Sequence, residues 1–234
     1  RLPEAGGPGY TGISNKARSH LHFGGAAMTS VLHGFDIRPT DRFSFFVRLG
    51  PLERPMTEGE FFEFCQLNPK LRIERTRDGE VIITPPAGGE SGRVNAKASA
   101  RLCDWAETDG SGVPFDSSTG FILPNGAERS PDLAWVRRAR WDALTQEERE
   151  RFPPLCPDFV GEIRSRTDRL TTLQEKMQEY VDNGAELGWL LDPIERKVYV
   201  YRRDAPVVCL DDPETVSGEP VLPGFTLNVR QLLA

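Results

Sequence analysis

SPDLAWV at residues 130–136 and PDFVGEI at residues 157–163 decide how this chain is read. Each is a short apolar run behind a proline, rich in β-branched and aromatic residues, the pattern of a strand. With side chains alternating, Asp132, Ala134 and Val136 share one face of the first run, and Leu133 and Trp135 share the other. In the second run Asp158, Val160 and Glu162 share a face. Asp132 opens its strand and Glu162 closes its own, each beside apolar residues, where a charge is costly unless something binds it. Two such acids on neighbouring strands could share a divalent cation. Magnesium favours carboxylate oxygens and keeps several waters. One of those waters can attack a phosphodiester while the ion neutralises charge on the phosphorus oxygens. The plainer reading is that acids at strand ends are solvated or paired with arginine.

Working outward, the next segment is helical. Leu170, Leu173, Met177, Tyr180 and Val181 form an apolar stripe at helical spacing, and Gly184 suits the helix end. Lys176 borders that stripe. It can snorkel to solvent, or it can reach over the sheet end toward Glu162 to orient or activate the attacking water. Upstream, Thr57 with Glu60 is a capping box that opens a helix over about 57–67. LRIERT and EVIITP flank Asp78-Gly79, a hairpin signal. Residues 91–108 read as a second helix, with Gly110 at its end. GWLLDP (188–193) and KVYVYRR (197–203) read as two strands, and GFTLNVRQLL (224–233) as a short strand with a final helical turn. The whole is a mixed α/β (α+β) plan, one central sheet flanked by helices.

Composition narrows the chemistry. The chain has 234 residues, 29 Lys+Arg against 35 Asp+Glu and a net charge of -6. That excludes a protein that coats nucleic acid through bulk positive charge, but not an enzyme with a local basic patch. No apolar run is long enough for a transmembrane helix. The four cysteines form no C-x-x-C pair and read as reduced, mostly buried thiols of a cytoplasmic protein. The only histidines are His20, His22 and His33, which leaves histidine-based triads and zinc chemistry without support from the rest of the chain. Residues 1–27 lack periodicity and read as a vector-derived or disordered leader. Residues 28–55 form an N-terminal extension in which FSFFVRL (43–49) could add a strand. Residues 56–234 are expected to form one domain.

Several motifs, taken in order, carry a resemblance: MTEGEFFEF, RIER-x-RDGEVIITPP, SPDL, PDFVGEIRS, Asp168-Arg169, Lys176 with Tyr180, GWLLDP and LPGFTLNV. Together they resemble the Uma-type family of restriction endonuclease-like proteins, within the PD-(D/E)XK superfamily, over about residues 56–234. The resemblance implies a restriction-endonuclease-like core and a Mg²⁺-dependent phosphodiester site, with Mn²⁺ as a substitute and no organic cofactor. Asp132 matches the family's aspartate after proline, Glu162 its acid on the next strand, and Lys176 the lysine on the following helix. Glu74 matches a frequent acid on the first hairpin. It ranks lower as a metal ligand, because an acid beside Arg72, Arg75 and Arg77 is more often in a surface ion pair. Arg164 stands where the wider superfamily has lysine. An arginine contacts phosphate but stays protonated, so it receives a supporting role. The segment Glu90-Ser91-Gly92-Arg93 lacks the histidine frequent there in the family, and Ser165-Arg166-Thr167 replaces a common Ser-Pro-Ser.

Two arginine clusters follow the acids. Arg137, Arg138 and Arg140 come after Asp132, and Arg164, Arg166 and Arg169 come after Glu162. They would grip phosphates at one sheet end if the two strands ran parallel. Trp135, Trp141 and Trp189 read as core or interface residues. The leading expectation is a Mg²⁺-dependent endonuclease acting on DNA, with Asp132, Glu162 and Glu74 around the ion, Lys176 on the water, and Arg138, Arg164 and Arg166 on the substrate. The alternative is a nuclease-fold binding or regulatory protein without turnover, favoured by the acidic charge. A small-substrate hydrolase on the same acids is a weaker third reading, and it requires a narrow closed pocket. A homodimer, with the FSFFVRL segment supplying an edge strand or an interface, is a further expectation.

Overall fold

The capping box at Thr57 forms as its sequence dictates: the Thr57 side chain accepts from the Glu60 amide, and Glu60 returns the bond to the Thr57 backbone. The structure is a computed structural model and describes residues 36–39, 45–48 and 56–233. The leader expected over residues 1–27 and the three histidines lie outside the described residues.

In chain order the elements are β1 (Asp36–Pro39), β2 (Phe45–Arg48), α1 (Glu58–Leu67), β3 (Arg72–Arg75), β4 (Val81–Thr84), α2 (Gly89–Asp109), β5 (Gly112–Asp116), β6 (Phe121–Ile122), β7 (Glu128–Arg129) and β8 (Leu133–Arg137). There follow α3 (Arg138–Asp142), α4 (Gln146–Glu150), β9 (Phe159–Ile163), α5 (Leu170–Asp182), β10 (Leu187–Asp192), β11 (Lys197–Arg202), β12 (Val208–Asp211), β13 (Thr215–Ser217), β14 (Thr226–Asn228) and α6 (Val229–Leu233). The hairpin turns at Gly79, whose φ of 82° is the left-handed conformation that glycine adopts without strain. No helix among the described residues is long and apolar enough to cross a membrane.

The strands build two six-stranded sheets rather than one. The first runs β1-β2-β4-β3-β7-β6, the second β12-β11-β10-β9-β8-β5, and β13 with β14 forms a small third. The FSFFVRL segment does contain a strand, but β2 pairs with β1 on one side and β4 on the other. Its backbone edges are both used, so it is not the free edge expected for dimerisation.

The second sheet is mixed: β9 and β10 are parallel, joined through α5, and the other pairs are antiparallel. The alternation read from the sequence holds. Leu133, Trp135, Phe159, Trp189 and Leu191 pack with Val94, Ala98, Leu102 and Ala106 of α2. Ala134, Val136, Val160 and Leu190 pack with Met177 and Tyr180 of α5. The sheet is therefore covered on both faces. Trp135 and Trp189 are fully buried, and Trp141 packs at the border of the second cluster. Of the cysteines, all free, Cys156 is buried, Cys65 and Cys103 are half-buried and Cys209 is exposed, so fewer are buried than expected.

The Trp135 indole lies over Gly112 of the neighbouring strand, and a Cβ there would sit 2.3 Å from the ring. A buried ring has nowhere to retreat. Gly112→Ala is expected to destabilise the fold by about 1–3 kcal/mol through overpacking, measured as a lower urea midpoint at unchanged m-value. An unaltered midpoint would count against this packing.

Candidate functional site

The β8–β9 pairing creates the site. Leu133 faces Gly161 in an antiparallel register, so Asp132 and Glu162, one step on, meet at the same end of the sheet. The close approach uses Gly161, where a Cβ would come within 2.9 Å of Leu133. Asp132 is buried, and its Oδ2 accepts the Ile163 amide at 2.9 Å. Its Oδ1 accepts from Arg72 Nη1 at 3.0 Å and from Asn95 Nδ2 at 3.2 Å. Arg72 also donates to the Ser130 carbonyl.

Glu162 is buried as well. Its Oε1 accepts from Lys176 Nζ at 2.8 Å and from the Tyr180 hydroxyl at 3.1 Å. Lys176 follows the inward course, not the snorkelling one, and its ammonium reaches Glu74 Oε1 at 2.9 Å too. Glu74 further accepts the Ser130 amide at 2.7 Å and lies 3.7 Å from Arg129, which pairs with Glu179 at 2.6 Å. Four elements thus converge: β3 supplies Arg72 and Glu74, the residue preceding β8 and a residue of β9 the facing acids, and α5 the lysine.

The electrostatics follow from burial and neighbours. For Glu74, burial favours the neutral acid, but Lys176, Arg129 and Arg72 outweigh it and hold the carboxyl at about 2. For Glu162, burial dominates. Lys176 opposes it, Asp132 and Glu74 reinforce it, and the carboxyl is pushed up to about 7. Burial pulls the Lys176 ammonium down, yet Glu162 and Glu74 raise it overall. Lys176 is therefore protonated, a donor and not a proton acceptor. Burial pushes the Cys156 thiol up to about 12, which leaves it inert as a nucleophile.

The donor set suits a hard divalent cation in part. Asp132 and Glu162 are adjacent carboxylates whose mutual repulsion a cation would relieve. Glu74 meets Glu162 only through the Lys176 ammonium, and among the described residues no group of three or more His, Cys, Asp or Glu side chains is arranged to hold a metal. The geometry therefore gives Glu74 an ion-pair role in place of the expected ligand role. It also departs from the expected surface pair, since Glu74 is buried.

The arginines divide. Because β8 and β9 are antiparallel, the segment after Asp132's strand lies at the far end from Glu162. Arg138 is exposed there and donates to the Gly112 carbonyl, while Arg137 and Arg140 clamp buried Asp158 at 2.8 and 3.0 Å. The shared end expected for Arg138 and the Glu162 cluster required parallel strands. Arg164 is committed to buried Asp192 at 2.7 Å and to Glu195 at 3.6 Å. Arg166 is exposed and lines the cleft over the acids. That cleft measures about 2130 Å³ and holds Arg72, Glu74, Asn95, Asp132, Glu162 and Lys176 in its wall. It is well beyond the roughly 300–1,000 Å³ of small-ligand sites, which disfavours the small-substrate reading.

Sequence reasoning gave no site role to Arg72, Asn95 or Arg129, and it placed Tyr180 in the helix stripe and beside Lys176 in the family motif without a role at the site. Arg72 had a signal: two residues before Glu74 on one strand, it shares that acid's face.

Among curated proteins none matches the chain. Among solved structures, it is similar to a putative nuclease belonging to DUF820 from Anabaena variabilis, with a TM-score of 0.64 and 20% identity over 76% of this chain and 98% of that one. At that identity the likeness shows the fold. The Uma2 family, described as "Putative restriction endonuclease", matches residues 59–230, and by that match the chain belongs to the Uma2 family.

Proposed function

We propose that the protein is a divalent-metal-dependent endonuclease that hydrolyses DNA phosphodiester bonds. The observation that carries this is the meeting of Asp132 and Glu162 at one sheet end, with the Lys176 ammonium 2.8 Å from Glu162, inside a cleft large enough for a polymer. Asp132 and Glu162 would hold Mg²⁺ or Mn²⁺, which supplies Lewis acidity and a more acidic water. Lys176, fixed by two carboxylates and protonated, orients the water and offers positive charge to the phosphate as negative charge develops there. The Tyr180 hydroxyl holds the Glu162 carboxylate in one orientation. Arg166, exposed in the cleft wall, would meet the phosphate backbone. The substrate assignment comes from the family description and the breadth of the cleft.

Supercoiled plasmid incubated with Mg²⁺ or Mn²⁺ is expected to be nicked, and EDTA to stop it. Cleavage that continues in EDTA would sink the metal reading.

One observation favours a second reading, a nuclease-fold binding protein without turnover: three of Asp132's acceptor positions are already taken by Arg72, Asn95 and the Ile163 amide. Absence of calorimetric Mg²⁺ binding, together with duplex DNA binding and no cleavage, would select it.

A further inference from the structure

The cluster holds its own cations. Lys176 sits between Glu162 and Glu74, Arg129 between Glu74 and Glu179, and Arg72 on Asp132. They are not equally fixed. The Lys176 and Arg129 side chains are 13% and 9% exposed, and each bridges two carboxylates. The Arg72 side chain is 33% exposed and makes an ion pair with one carboxylate, its second anchor being the neutral Ser130 carbonyl; all three cations line the cleft.

The carboxylate it holds does not depend on it for orientation. Asp132 keeps the Ile163 amide on Oδ2 and the Asn95 amide on Oδ1, both neutral donors from other elements. Removing Arg72 leaves the acid in place with a lone charge. Removing Lys176 would strand two acids at once.

We propose that Arg72 is the exchangeable counter-ion of this site: it occupies Asp132 in the ion-free protein and turns to the nucleic-acid phosphate when a divalent cation takes that carboxylate. This rests on the metal reading above. A planar guanidinium suits the second partner as well as the first, since carboxylate and phosphate both accept its paired N–H groups. The exchange also answers the acidity of the chain. One positive charge at Asp132 is replaced by two, and the freed guanidinium adds another to the cleft wall, so affinity for a polyanion is conditional on the ion.

Two measurements test it. In calorimetric titrations with Mn²⁺, Arg72→Gln is expected to bind between about tenfold and about a thousandfold tighter than wild type, the upper figure being the scale of one unit charge removed at contact distance near a surface. Arg72→Lys, which keeps the charge, is expected to stay close to wild type. In the unmodified protein, phenylglyoxal labelling read by peptide mass mapping is expected to modify Arg72 several-fold faster in saturating Mn²⁺, with Arg129 protected in both states as reference. If heat shows Mn²⁺ binding but Arg72 labels at an unchanged rate, or Arg72→Gln binds no tighter, the exchange is overturned and the metal reading stands. If neither protein takes up Mn²⁺, the metal reading fails and the exchange with it.

Discussion

Glu162→Gln is expected to lose about a thousandfold in DNA cleavage and yet to make the ion-free protein less sensitive to alkaline pH. The loss reflects several kcal/mol of charge stabilisation, tenfold for about each 1.4 kcal/mol. The stability effect has a separate cause. Burial and the neighbouring acids push the Glu162 carboxyl from its ordinary 4.5 to about 7. A carboxyl raised in this way contributes stability that is whole below its unfolded pKa and lost as pH rises through its folded one. The window here runs from about pH 4.5 to about 7, and the shift corresponds to about 3 kcal/mol. In EDTA the wild type should therefore lose stability across that window, and the glutamine variant should lose correspondingly less. Burial also pushes Glu128 up to about 7, against the pull of Arg75. Glu128 titrates equally in both proteins, so the difference between their urea midpoints at pH 5 and pH 8 isolates Glu162. Parallel pH profiles would refute the argument.

Lys176→Met should move stability the other way. Its ammonium stands between Glu162 and Glu74 at 2.8 and 2.9 Å. Truncating one partner of a buried pair leaves uncompensated charge, a cost of about 3–5 kcal/mol. Arg129 still faces Glu74, and Glu162 can take up a proton, so the lower figure is expected at pH 8 and less at pH 5. Cleavage should fall about 10²–10³-fold, the scale for removing one preorganised donor from a charge-developing site. The double variant with Glu162→Gln is the sharper experiment. With the acid already neutral, part of the lysine's loss disappears, and the two stability changes should depart from additivity by more than about 0.5 kcal/mol. Strict additivity would mean that the 2.8 Å contact carries no energy.

Much of this was legible in the chain because local chemistry agreed with the fold. The Thr57 capping box, the Asp78-Gly79 turn and the stripe from Leu170 to Val181 each announce an element, and each forms. The alternation of Ala134 and Val136 against Leu133 and Trp135 sorts those side chains between α5 and α2. What stayed hidden was pairing. Nothing in DLAWV or DFVGEI tells whether those strands run together or opposed. That choice alone moves Arg138 to the far end, beside the clamp on Asp158. Glu74 was misjudged for a related reason. Its arginine neighbours suggested a solvated strand, but Arg75 turns to the opposite face and pairs with buried Glu128, while Arg72 turns inward with Glu74. Asn95 lies 37 positions from Asp132, and no spacing rule connects them.

The β3–β4 hairpin belongs to one sheet and the facing acids to the other. Reactive groups are thereby divided between a framework that fixes Asp132 and Glu162 and a separate jaw that carries Arg72 and Glu74. Substitutions at the hairpin's exposed residues alter the cleft wall without touching the carboxylates of the other sheet. Descendants of this chain could vary the hairpin while inheriting the same pair of facing acids.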